Sequence, residues 1–266
     1  MNKSTLPLIS VVIPTYNCAN FLKKALQSVI DQSYKNWEAI VIDNYSIDNT
    51  QQVIKKFSDS RIKYFKIKNL GNIANSRNKG IKNSNGNWIA FLDSDDWWLP
   101  DKLKICLEYS NKDFDLIYHD LKILSKDRRL FSRNKIKTRK LKEPILIDLL
   151  VNGNAIGTSS VLVKKQLIKE IGFMDERKSI IAAEDYNTWL KIATLTNHFL
   201  YVPKELGYYR IHDEGISRKN MSLPTYHAAY KLLYILDVKQ RITFDTHLKY
   251  TSGRFDYLTG EYSKAR

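Results

Sequence analysis

Three carboxylates fall within four positions at Asp93-Ser94-Asp95-Asp96, directly after the apolar run from Trp88 to Leu92. Like charges this close repel one another unless a cation or hydrogen-bond donors compensate. Hard divalent cations such as Mg²⁺ or Mn²⁺ take carboxylate and phosphate oxygens and keep several waters. One or two of these acids plus a diphosphate is the coordination such a turn suits. The competing reading is an acidic loop ahead of a helix opened by Pro100 and Asp101. Taken alone, the tetrapeptide leaves both readings open.

The elements that must position these acids alternate between strand and helix. Leu8 to Ile13 is a β-branched apolar run ending at Pro14, and Trp37 to Ile42, Ile62 to Ile67 and Trp88 to Leu92 read as three further strands. Between them, Asn20 to Ile30 carries apolar residues at helical spacing, Asp48 N-caps a predicted helix through Phe57, and Ala74 to Ile81 is a short helix. This order predicts an α/β fold with a mostly parallel sheet flanked by helices. Right-handed crossovers then place the strands' carboxyl ends on one edge, where such sheets bind ligands. Thr15-Tyr16-Asn17, Asp43 and the acidic turn all fall at that edge. Further on, Leu116 to His119, Leu121 to Leu124 and Ser159 to Val163 read as short strands, with helices at Lys165 to Ile171 and Asp185 to Ala193. Beyond about Met221 only helical patterns remain: Tyr226 to Leu236, Asp245 to Tyr250 and Phe255 to Ala265.

Composition narrows the class. The chain has 266 residues, 43% hydrophobic and 27% charged, which is ordinary for a globular protein. No stretch approaches the roughly 18 apolar residues of a membrane-spanning helix, and Met1 to Ser10 lacks a signal-peptide core. A cytoplasmic location is expected, with Cys18 and Cys106 as free thiols. The net charge of +15 is uneven: residues 122–142 hold ten basic side chains against the single acid Asp127. Such a block attracts polyanions or anionic lipid headgroups, or it is a solvated hairpin with no partner. A nucleic-acid binder is disfavoured, because neither zinc ligands nor an RNP-type aromatic motif nor a basic helix accompanies the charge. No G-x-G-x-x-G follows the first strand, which sets aside a dinucleotide-dependent enzyme.

Four segments follow in order: Val11-Val12-Ile13-Pro14-Thr15-Tyr16-Asn17, Asp43-Asn44-Tyr45-Ser46-Ile47-Asp48, Ser76-Arg77-Asn78-Lys79-Gly80 and Phe91-Leu92-Asp93-Ser94-Asp95-Asp96. Later come Gly172-Phe173-Met174-Asp175-Glu176, Glu184-Asp185-Tyr186 and Tyr209-Arg210-Ile211-His212. Over residues 8–217 this set resembles the family 2 glycosyltransferases of GT-A fold that build bacterial surface polysaccharides. The resemblance implies a GT-A domain over 1–218, with a nucleotide-binding half 1–100 and an acceptor half 101–218, followed by a helical appendage over 219–266.

It also implies roles. Pro14, Thr15, Tyr16 and Asn17 line the nucleotide pocket, Asp43 accepts from a uracil N–H, and Arg77 faces the nucleotide or its phosphates. Asp93 and Ser94 meet the ribose or sugar, and Asp95 ligates Mn²⁺ or Mg²⁺. Arg210 and His212 lie over the diphosphate, with His212 a second candidate metal ligand. Two positions depart from the family: Asn44 stands where a second acid is common, and Tyr45 replaces a small residue, which changes the pocket's shape. Asp185 is the candidate general base, with Glu184 behind it; the plainer alternative is that both acids only stabilise a helix N-terminus. Trp97 and Trp98 are candidates for acceptor contact at the rim. The implied reaction is an inverting transfer from a UDP-sugar to a glycan or lipid-linked acceptor in O-antigen, capsule or lipooligosaccharide synthesis. Residues 122–142 would meet the anionic inner leaflet, as a peripheral contact, or the pyrophosphate of a lipid-linked acceptor. A GT-A module that binds without catalysis is disfavoured by the retained Asp95 and Asp185.

Overall fold

A computed structural model of the chain describes residues 6–110, 114–125, 136, 138–211 and 219–264. His212 and most of the basic segment, residues 126–135 and 137, lie outside the described residues. An eight-stranded mixed sheet runs through the molecule in the order β3-β2-β1-β4-β7-β6-β8-β5. These strands are β1 (Ile9–Thr15), β2 (Trp37–Asp43), β3 (Ile62–Lys66), β4 (Trp88–Phe91), β5 (Trp97–Trp98), β6 (Leu116–Ser125), β7 (Leu162–Lys164) and β8 (Phe199–Ile211). The strands β3, β2, β1 and β4 pair in parallel, β7 runs antiparallel to both β4 and β6, and β6 and β8 are parallel to each other.

The parallel part follows from its sequence. β1 and β2 are buried along their whole length, as continuous β-branched runs require when helices cover both faces. On one face, α1 (Ala19–Ile30) lays Leu22, Ala25, Leu26 and Val29 against Ile9, Val11 and Ile13. On the other, α3 (Ile73–Lys82) is N-capped by Asn72, whose side chain accepts the Ala74 N–H at 3.1 Å. Gly80 lets α3 approach closely, since a Cβ there would sit 2.5 Å from Val12 Cγ1. Asn78 then fastens α3 to the later chain, donating to the Met174 carbonyl at 2.8 Å and accepting from the Met174 N–H at 3.0 Å. That exchange explains why the Ser76–Gly80 and Gly172–Glu176 segments belong together.

Several expectations are corrected. α2 (Thr50–Lys55) begins later than predicted, with Asn49 at the N-cap. The Asp48 carboxylate instead takes the Thr50 N–H at 3.0 Å and the Ala19 N–H at 2.9 Å, bridging the starts of α2 and α1. The two short strands predicted around residue 120 are one strand, β6, interrupted by register shifts on either side of Asp120. Ser159 and Ser160 belong to a 3₁₀ turn, Thr158–Ser160, ahead of β7. The elements α4 (Lys102–Ser110), α5 (Ile145–Asn152) and α6 (Lys165–Glu170) surround the second half of the sheet, and α7 (Glu184–Ala193) packs beneath it. At the end, α8 (Ser222–Ala229) runs into a 3₁₀ segment, Tyr230–Ile235. One long helix, α9 (Val238–Leu258), replaces the two predicted ones. A capping box between Asp237 and Gln240 starts it. The segment expected as an appendage joins the main core: Ala228, Ala229, Leu233 and Phe244 are buried in one cluster with Leu149, Trp189 and Phe91. Among the described residues no helix is long and apolar enough to cross a membrane.

Candidate active site

Parallel register brings the first polar residues together, because Thr15 pairs with Asp43 at the carboxyl ends of β1 and β2. Asp43 is fully buried. Its Oδ1 accepts from the Ser46 N–H at 2.9 Å and the Ser46 hydroxyl at 2.6 Å, while Oδ2 accepts from the Tyr64 hydroxyl at 2.6 Å. Three of roughly four acceptor sites on the carboxylate are therefore engaged, and a base N–H could address only the remaining one on Oδ2. Asn17 and Tyr45 both adopt positive φ, 48° and 52°. Asn tolerates that conformation, but in Tyr it is strained and needs holding in place. The hold is reciprocal: the Ser46 hydroxyl accepts the Asn17 N–H, and Asn17 Oδ1 accepts the Ile47 N–H, each at 2.9 Å. Tyr16 and Tyr45 stand out from these locked loops, 54% and 50% exposed. Beside them, Thr15 Oγ1 is buried with no hydrogen-bond partner among the described residues, an acceptor and donor left open at the strand end beside Pro14.

The acidic turn separates its three charges. Asp93 receives Arg77 Nη2 at 2.7 Å, and its backbone N–H donates to the Ser159 hydroxyl at 3.1 Å. Asp96 is buried; Oδ2 accepts from Ser159 Oγ at 2.6 Å and Oδ1 from the Arg210 N–H at 3.0 Å. Burial, with Asp95 and Asp93 close by, pushes its carboxyl well above the usual range. Ser94 is buried and hydrogen-bonded to the half-buried Cys18 thiol, which burial raises. Asp95 stays partly exposed. Arg210 crosses the turn, its Nε 3.4 Å from the Asp95 carbonyl and its guanidinium over the rings of Phe21 and Trp97.

Arg77 is only 3% exposed, and its guanidinium joins the turn to α7 by giving Nη1 to Glu184 Oε1 at 2.8 Å while Nη2 holds Asp93. Glu184 and Asp185 open α7, where the helix dipole favours anions, but the N-cap itself is Ala183. Asp185 Oδ2 accepts from the Thr158 hydroxyl at 2.9 Å and Oδ1 from the Tyr186 N–H at 2.6 Å. Burial and the neighbouring Glu184 outweigh Arg77 and these bonds, pushing the Asp185 carboxyl up to about 6. A carboxyl there is ionised at neutral pH yet basic enough to take a proton. A cavity of about 160 Å³, lined in part by Asp185, opens between α5, α7 and the C-terminal helices.

Sequence reasoning missed Thr158 and Ser159. Adjacent in one 3₁₀ turn, they hold Asp185 on one side and Asp93 and Asp96 on the other. The signal was the run of hydroxyls Thr158-Ser159-Ser160 before an apolar strand. The tryptophans, expected at the rim, are interior instead: Trp97 is 8% exposed and stacked on Tyr208 at 4.9 Å, and Trp98 is 3% exposed and donates Nε1 to the Ser159 carbonyl at 2.7 Å. Their pairing with β8 as the two-residue strand β5 draws both rings inward.

Among the described residues no group of three or more His, Cys, Asp and Glu side chains could hold a metal alone.

A model of the family described as glycosyl transferase family 2 matches residues 10–171. The Escherichia coli UDP-Glc:alpha-D-GlcNAc-diphosphoundecaprenol beta-1,3-glucosyltransferase WfgD is 30% identical over 186 residues, 70% of this chain and 69% of that protein. WfaP, an E. coli enzyme with the same activity in its name, is 29% identical over 212 residues, 79% of this chain and 80% of its own. Among solved structures, S. aureus TarS 1-349 in complex with UDP superposes with a TM-score of 0.66 at 20% identity, covering 93% of this chain and 70% of that one. The mannosyltransferase PcManGT from Pyrobaculum calidifontis, in complex with GDP-Man and Mn²⁺, gives 0.70 at 15% identity, covering 98% and 74%. These superpositions carry the fold, the mixed GT-A sheet with its flanking helices. The match over more than half of the sequence carries the rest: this chain belongs to glycosyl transferase family 2.

Proposed function

We propose that the chain is an inverting, divalent-metal-dependent transferase that moves a sugar from a UDP-sugar to a hydroxyl of a glycan or lipid-linked acceptor in bacterial surface-polysaccharide synthesis. The observation that carries this reading is the link from the acidic turn through Arg77 to the first turn of α7. Asp185, a carboxylate of raised basicity, borders a cavity at the end of that link. The names of WfgD and WfaP, which give UDP-glucose as donor and a lipid diphosphate as acceptor, support the substrate class.

In this reading Thr15, Tyr16 and Tyr45 receive the nucleoside, and Asp93 orients the ribose or sugar from its ion pair with Arg77. Asp95 would hold Mg²⁺ or Mn²⁺, which when bound would supply positive charge beside the diphosphate. Asp185 takes the proton from the acceptor hydroxyl as its oxygen forms the new bond to the anomeric carbon. The bond from that carbon to the diphosphate breaks, and UDP leaves with the electron pair. A single displacement inverts the anomeric centre with no covalent enzyme intermediate. Arg210, leaning over the acidic turn, faces the leaving group.

UDP release measured across UDP-sugars with Mn²⁺ or Mg²⁺ tests the assignment. Asp95→Ala is expected to weaken donor binding, and Asp185→Asn to remove turnover while donor binding persists. Unchanged turnover in both variants overturns it. The basic segment 122–142 is assigned to an anionic membrane face on the cytoplasmic side. Co-sedimentation with vesicles that does not depend on anionic lipid removes that assignment.

A further inference from the structure

Helix α9 is buried on one side and open on the other. On the inner side, Phe244 belongs to the main core cluster and Leu248 packs against it. The His247 ring is seated against Gly153 at the end of α5, where a Cβ would lie 3.2 Å from Cε1. Asn220 Nδ2 donates to the Ser252 hydroxyl at 3.0 Å, tying the approach to α8 to the second half of α9. These contacts hold the helix in one orientation, so the side it turns outward is fixed.

That outward side is apolar and basic. Val238, Ile242, Tyr250, Tyr257 and Leu258 are each between 61% and 79% exposed. At 3.6 residues per turn, Val238, Ile242, Thr246, Lys249, Tyr250 and Tyr257 fall within about 120° of the helix circumference. Over 21 residues the stripe is about 30 Å long. Lys239, Lys249 and Arg254 are exposed as well, whereas no exposed residue of α9 is an acid. Of its two acids, Asp245 is half-buried and accepts from Arg241 Nε at 3.2 Å, and Asp256 is half-buried. A helix on the surface of a water-soluble protein sets polar and charged residues opposite its buried face. Single exposed apolar side chains need no explanation, but five large ones along one helix mark an interaction surface.

We propose that the outward face of α9 docks in the plane of an anionic membrane surface. Val238, Ile242 and Leu258 enter the boundary of the acyl chains, and the rings of Tyr250 and Tyr257 lie at headgroup level with their hydroxyls in water. Lys239, Lys249 and Arg254 meet the lipid phosphates. A second copy of the chain fits this face less well. Two such helices packed together would set their basic side chains against one another, with no exposed acid on either to compensate. The proposal uses neither the transferase reading nor residues 122–142, since every side chain it needs lies on α9.

The test is co-sedimentation of the full chain with vesicles of equal parts phosphatidylglycerol and phosphatidylcholine, and with vesicles of phosphatidylcholine alone. The mixed vesicles should bind the chain more tightly. Ile242→Ser combined with Tyr257→Ser should weaken that binding about tenfold, from the apolar area withdrawn. Lys239→Gln combined with Lys249→Gln should weaken it about thirtyfold. UDP release without vesicles should be the same in both double variants as in the parent chain. No binding to the mixed vesicles overturns the proposal, and so does binding that neither double variant weakens, which would place the contact elsewhere on the molecule. A dimer in sedimentation velocity without lipid, dissolved by the Ile242 and Tyr257 pair, overturns it in favour of a second copy. Melting curves check folding; if the serine pair lowers the midpoint, the glutamine pair, which alters only exposed lysines, decides the matter.

Discussion

The acidic turn and the start of α7 are both runs of carboxylates at the edge of a buried element, and each contains an acid whose proton affinity is raised. In the turn that acid is Asp96, buried and held by Ser159 and the Arg210 backbone. In α7 it is Asp185, partly buried, held by Thr158 and lining a cavity. The same physics, desolvation plus a neighbouring acid, acts on both. Access is what differs. A raised carboxyl enclosed by its own fold is a brace, whereas one that borders open space can exchange its proton with a ligand. Within each run, moreover, the companion acid is neutralised by one shared guanidinium, Arg77.

The sharpest way to break this comparison is Asp185→Asn. Turnover should fall about 10²- to 10⁴-fold, with UDP affinity by calorimetry unchanged. If turnover persists, the two raised acids are alike after all. Next in size is Arg77→Met, which strands the buried Glu184 and leaves the half-buried Asp93 without its cation. A loss of about 3–5 kcal/mol in urea unfolding is expected, and Arg77→Lys should not restore both ion pairs. Ser159→Ala should cost about 1–3 kcal/mol by removing a donor to buried Asp96, and should weaken donor binding more than acceptor binding. The pH profile sharpens the contrast further. Asp185 must be ionised to act, so kcat/KM falls as pH drops through about 6, and Asp185→Asn should show no such limb. Stability runs the other way. A carboxyl raised on folding favours the native state below its unfolded value, and that contribution is lost as pH rises through about 6. Asp185→Asn should therefore raise Tm at pH 7.5 by about 3 °C and by less at pH 5. Smallest of all is Trp97→Phe, which keeps a ring on Tyr208 and should leave acceptor KM unchanged.

The polar strand ends were legible because they sit where the apolar patterns stop. Thr15, Asp43 and Asp93 each follow an apolar run, and parallel strands bring such ends to one edge without further information. The partners were not legible. Arg77 and Glu184 lie 107 positions apart, and nothing local marks the guanidinium as facing two carboxylates instead of a phosphate. Only a short strand at Arg210 was legible of β8, because Pro203, Lys204, Glu205 and Gly207 interrupt its alternation and it pairs with β6 only through register shifts. With the full strand unread, Trp97 and Trp98 had no partner to join and read as surface rings. Helices α8 and α9 were found as helices, but their burial against α5 and α7 depends on contacts between distant segments, such as Asn187 with Ala228.

The two-residue strand β5 has a consequence for the order in which the protein matures. It follows the acidic turn directly and pairs with β8, Trp97 opposite Tyr208 and Trp98 opposite Gly207, while the Arg210 N–H reaches back to Asp96. A nascent chain halted at Ala193 already carries every carboxylate of the turn and of α7, together with Arg77. It lacks the strand that clamps the turn. Closing that long loop is the late, entropically slow event. The acidic edge is thus written early in the chain and clamped only by a strand that ends at Ile211.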